Sequence, residues 1–258
     1  MKRKPRRRSM QMKLNVLVIG NILAVAVGLM AISYYIFCQR VDDNYNISLE
    51  RAADACANNI DGEELEFFWK AIDSDAFREV YELAVKANDE EIIKEWLQSK
   101  PGWFAVYYAE EESAERDELE IGEDAQAEDL SWSLLDDYQQ LLYALQAIID
   151  YFDVDSAYYQ IDVDGVTYNI ADPNETLFYV GTAEAPIEEF ADYEDNAEVP
   201  PTVYYSGSGW LLTVIKPVIN LETGKPVCIA GVELNMTEIV NERYVFLRQS
   251  LVFVALLL

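Results

Sequence analysis

Tyr158-Tyr-Gln-Ile-Asp-Val-Asp-Gly-Val-Thr-Tyr-Asn-Ile-Ala-Asp172 is the stretch on which the fold turns. Its side chains alternate with a period of two on both sides of Asp164-Gly165, a pair suited to a type I′ turn because both positions need φ > 0. This predicts a hairpin of strands Ala157–Val163 and Val166–Ala171. Trp210–Ile219 and Pro226–Asn235, joined across a turn with Gly224, predict a second hairpin. Asp172–Gly209, with Pro186, Pro200 and Pro201, reads as a long loop between the two.

Upstream of Val154 the period is helical. Val41, Tyr45, Leu49, Ala52, Cys56 and Ile60 recur at steps of three and four, one stripe of a long helix that Asp61-Gly62 ends. Helices are expected over Glu63–Ala71 and Asp75–Gln98, the latter closed by Pro101-Gly102. Trp103–Tyr108 suggests a short aromatic strand or an additional turn. Glu110–Asp129 reads as a solvated acidic insertion, and Ser131–Phe152 as another amphipathic helix. The fold class is therefore α+β, an antiparallel sheet packed on a long N-terminal helix.

Charge divides the chain into compartments. Residues 1–41 hold eight basic side chains and no acidic one, whereas all 47 acidic residues fall between Asp42 and Val245 with only 10 basic ones. Leu14–Phe37, 24 residues with three polar members besides its tyrosines, would span roughly 36 Å as a helix, against a hydrocarbon core of roughly 30 Å. Lys2-Arg-Lys-Pro-Arg-Arg-Arg8 precedes it and Asp42-Asp43 follows, so the positive-inside rule places the N-terminus in the cytoplasm and the acidic part outside. A cleaved signal peptide competes with this reading through Ala31-Ile-Ser33, but the apolar run is too long and continues past it. Residues 246–258 turn apolar again and are expected to begin a second transmembrane helix, cut short.

The resulting organisation is a basic arm (1–13), a transmembrane helix (14–37), an extracytoplasmic domain (38–245; helical over 41–152, sheet-rich over 154–235) and the start of a second span (246–258). A net charge of −28 opposes nucleic-acid binding by the large domain. The chain has no histidine, which removes Ser-His-Asp and Cys-His catalysis and histidine metal sites. Cys38, Cys56 and Cys228 read as small buried apolar residues, and the pattern leaves open a Cys56–Cys228 bridge.

No enzyme motif survives inspection. Asp162-Val-Asp-Gly165 resembles the middle of a calcium loop, but the first and twelfth ligands would be Gln160 and Ala171. Gly224-Lys225 lacks the upstream glycine of a phosphate loop, and Ser206-Gly-Ser-Gly209 is neither a nucleophile elbow nor a dinucleotide fingerprint. Neither a metal nor a cofactor is expected.

The two hairpins resemble a Cache-type, PAS-like extracytoplasmic sensor domain. The resemblance rests on Tyr158–Asp172, Val180-Gly-Thr182, Gly209–Val218, Gly224–Asn235 and, after the first helix, Ile60-Asp-Gly-Glu63. It covers mainly Val154–Asn235, and its motifs are loose. Glu233 stands where many members carry aspartate, Lys216 where an aromatic residue is common, and the acidic insertion has no counterpart. The resemblance implies a domain between two transmembrane helices that binds a small molecule on one sheet face and drives a cytoplasmic output.

Strand alternation assigns the site, given a register. Trp210, Lys216 and Glu233 are expected to share a face with Tyr158, Gln160 and Asn169, leaving Leu211, Thr213, Ile215, Cys228, Ala230, Val232 and Leu234 for the long helix. Lys216 would be held by Glu233, and the ligand would be an amino acid or small carboxylate. The expected function is ligand sensing by a membrane receptor that pairs as a homodimer. The alternative is a membrane-anchored acidic adhesion or assembly protein.

Overall fold

A computed structural model describes residues 8–107, 132–185, 187–190, 193–206 and 209–257. The expected acidic insertion, Glu110–Asp129, lies outside the described residues. The chain divides into two compact units, Met1–Asn46 with Met236–Leu258, and Ile47–Asn235.

Helix α1 (Arg8–Asn58) runs unbroken for 51 residues, about 77 Å at the helical rise. Among the described residues it is the one helix long and apolar enough to cross a membrane, with a mean hydropathy of 2.4 in its most apolar window. An apolar helix at this end of the chain is what a membrane anchor or a signal sequence provides. Alongside it in the first unit is α6 (Met236–Leu257). Phe246 stacks on Phe37 with centroids 4.1 Å apart, and Arg243 pairs with Asp42, so the two helices run antiparallel.

The second unit begins with the end of α1, where Leu49, Ala52 and Cys56 are buried as the stripe predicts, and Ala53 beside them is buried too. Asp61 then caps α2 (Gly62–Ile72) by accepting from the Glu63 N–H. A Cβ at Gly62 would stand 2.6 Å from the backbone nitrogen of Asn220, so only glycine lets this helix start against the end of a strand. The helix expected over Asp75–Gln98 is two helices, α3 (Asp75–Ala87) and α4 (Glu91–Gln98). Asn88 enters the left-handed region at φ 53° and closes α3, and the Asp89 carboxylate accepts from the Glu91 N–H. Residues 103–107 form a helical turn. α5 (Leu134–Phe152) opens with a capping box, Ser133 and Asp136 each accepting from the other's backbone N–H.

Five strands form one antiparallel sheet: β1 (Ser156–Val163), β2 (Val166–Ala171), β3 (Val199–Tyr205), β4 (Trp210–Ile219) and β5 (Pro226–Asn235), ordered β2-β1-β5-β4-β3. Asp164 and Gly165 have φ of 52° and 76°, the turn the sequence predicts. β3 was expected to be loop, because Pro200 and Pro201 cannot donate to a ladder. It forms because it is an edge strand, where donors on the outer side need no partner. One sheet face packs on helices: Tyr159 donates its hydroxyl to the Cys56 carbonyl (2.9 Å), and Trp69 of α2 meets Tyr168 of β2 with ring centroids 5.3 Å apart. Cys56 and Cys228 are both buried and both free thiols.

Candidate ligand-binding site

The other face of the sheet carries a pocket of about 730 Å³. The register places its floor: Ser156 lies opposite Glu233, Tyr158 opposite Gly231 and Gln160 opposite Ile229, while Thr213 of β4 lies opposite Glu233. The roof is the excursion between β2 and β3. Residues 181–184 extend along β2 through Gly181 N–H to Asn169 O (2.8 Å), Asn169 N–H to Thr182 O (3.0 Å) and Glu184 N–H to Thr167 O (2.8 Å). Farther along, Asn196 and Asp162 clasp each other: each backbone N–H donates 2.9 Å to the other's side chain. Phe190 packs on Val199, Ile215 and Ile229, an apolar corner of the same pocket.

Glu233 is the centre of the floor. Its Oε1 accepts from the hydroxyls of Tyr204 (2.7 Å), Tyr158 (3.0 Å) and Thr213 (3.1 Å). Burial, then the neighbouring Glu233 charge, pushes the Tyr158 and Tyr204 hydroxyls well above the usual range, so both remain protonated donors. A second network hangs from Asn169, which is 1% exposed. It accepts from Gln160 (2.8 Å) and donates to Thr182 and Glu184 (3.0 Å each), while Tyr179 donates to Glu184 at 2.6 Å. Burial chiefly, with Glu175 and Glu233 adding to it, raises the Asp172 carboxyl to about 6 against the hydrogen bonds from Asn174 and Ser156.

Of the six residues expected to form the site, Tyr158, Gln160 and Glu233 line the pocket, and Asn169 orients two of its walls. Trp210 and Lys216 do not belong to it. β4 pairs Leu212 with Leu234, Thr213 with Glu233 and Ile215 with Gly231, so its odd-numbered residues share the face of odd-numbered β5 residues. The expected register was one residue off, and a one-residue slip sends every side chain of a strand to the other face. Leu211 and Ile215 therefore line the pocket, and Lys216 turns toward the helices. There it pairs with Glu198 (2.5 Å) and Asp54 of α1 (3.5 Å), not with Glu233. Trp210 is 56% exposed and contacts Tyr205 edge to face.

Sequence reasoning missed Tyr204, Thr213, Tyr179, Glu184 and Asp172. Tyr204 sits in a β-rich Val203-Tyr-Tyr205 run that the two prolines masked. Tyr179 and Glu184 come from an excursion with no period to read. No family model, no curated protein and no solved structure matches this chain.

Proposed function

We propose that this chain is the extracytoplasmic, ligand-sensing part of a membrane signal-transduction receptor, which binds a small molecule in the sheet pocket and signals to a cytoplasmic output. One observation carries this reading. The sheet holds a walled pocket on one face and packs its other face on α1, the helix whose upstream part is long and apolar enough to span a membrane. A pocket of this volume and mixed lining falls in the range of small-molecule sites. Ligand contacts that differ between two arrangements of the sheet would shift the position of α1, and with it a membrane span. The segregation of basic and acidic residues around Leu14–Phe37 supports an outward-facing domain. The test is a thermal-shift screen of small metabolites on the full chain in detergent. At least one compound is expected to raise Tm with saturation, and a screen without any such compound would overturn the reading.

A further inference from the structure

We infer that the pocket selects a small organic cation, an amine without a carboxylate group, with its ammonium against Glu233 and the rings of Tyr158 and Tyr204 beside it. This rests on the sensor reading and adds the ligand's chemistry. Seven carboxylates line the pocket, and among the described residues no lysine or arginine does. Six of the lining's side-chain donors are already committed to acceptors in or beside the pocket. Tyr158 and Tyr204 donate to Glu233, Tyr179 to Glu184, Thr167 to Asp162, Ser156 to Asp172, and Gln160 to Asn169. An anionic group entering here would meet negative charge and find those donors taken, and a zwitterion would bring such a group with it.

An ammonium meets the opposite conditions. All three hydroxyls reach the same oxygen of Glu233, Oε1, and among the described residues Oε2 accepts no hydrogen bond. Glu233, which lines the pocket, is thus fixed in orientation through one oxygen and keeps the other as an acceptor. A phenol whose proton is engaged keeps its π face for a cation, a contact that strengthens when desolvated. The volume and the apolar corner at Phe190 suit a cation with a hydrocarbon body better than a bare metal ion.

Two pairs of compounds isolate the carboxylate: 1,4-diaminobutane against ornithine, and 2-phenylethylamine against phenylalanine, with succinate as the anion. Isothermal titration of each into the full chain in detergent should show binding by at least one amine, with its carboxylated counterpart at least about 10-fold weaker. Glu233→Gln, which keeps an acceptor for the hydroxyls, should weaken the amine by about 10- to 150-fold, the loss of one charge-assisted contact. Lys216→Ala should leave amine affinity unchanged. The comparison within each pair needs no variant and so survives a misfolded one. Ornithine, phenylalanine or succinate binding as tightly as the amines would overturn the inference while leaving the sensor reading standing. Full amine affinity in Glu233→Gln would overturn it too, as would silence from all five probes. The sensor reading itself is judged by the broad metabolite screen.

Discussion

The ring of Tyr158 lies across the bare Cα of Gly231 on the neighbouring strand, so that a Cβ there would stand 2.2 Å from the ring's Cε2. The glycine therefore sets the height and direction of the tyrosine, and the tyrosine hydroxyl in turn holds Glu233. The expected outcome of Gly231→Ala is a loss of about 1–3 kcal/mol, the usual range for overpacking. Chemical denaturation of the full chain in detergent would measure it. In Tyr158→Ala/Gly231→Ala the methyl has room, so the double mutant should lose clearly less than the two single losses together. Simple additivity would show that the ring does not depend on the glycine.

Acid should stabilise the second unit over a defined window. Burial raises Asp172 to about 6 and Glu64 to about 7, against ordinary values of 3.8 and 4.5. A carboxyl raised in the folded state binds its proton more tightly there than in the unfolded chain. Its contribution is complete below the unfolded value and is lost as pH rises through the folded one. Tm should therefore climb as pH falls from about 7.5 toward 4.5, with up to about 3 kcal/mol from each group. Asp172→Asn and Glu64→Gln should each flatten part of that slope. A Tm that falls steadily across the window would contradict this account.

Lys216 should behave as a strut. It is 18% exposed in its side chain and joins Glu198 and Asp54, whose own side chains are more than half exposed. Lys216→Ala should cost about 1 kcal/mol, the upper end for solvent-screened pairs, and the deficit should shrink in high salt. Denaturation midpoints at two salt concentrations read this directly.

The break between α3 and α4 should respond to backbone chemistry alone. Asn88 adopts φ 53°, where a β-carbon is strained and asparagine is tolerated. Asn88→Gly should leave stability unchanged or raise it slightly, while Asn88→Ala should lose about 1 kcal/mol. Equal stability of the two variants would mean that the left-handed turn is not what stops α3.

The proposed topology has its own readout. Reporter domains active only in an oxidising compartment should work when fused at Asp195 and fail at Ser9, as the charge asymmetry around Leu14–Phe37 requires. The reverse pattern would place the acidic domain in the cytoplasm. Release of a soluble domain after cleavage near Ser33 would identify a signal sequence instead.

Much of this architecture was determined by the sequence alone, because its causes are local. The α1 stripe, the Asp164-Gly165 turn, the second hairpin and the caps at Asp61 and Ser133 depend on periodicity or on residues within a few positions of one another. The assignment of Tyr158, Gln160 and Asn169 to one face followed from strand alternation within a single hairpin, whose short turn sets the register. Tertiary structure alone decided the rest. The pairing of β4 with β5 is set across a longer connection with a register shift at Val218/Ile219, and that pairing sent Lys216 and Trp210 away from Glu233. β3 exists because an edge position forgives two prolines, and through β3 Tyr204 reaches Glu233 from 29 residues away in sequence. The roof over the pocket follows from hydrogen bonds between an aperiodic excursion and β2, contacts that no local pattern encodes.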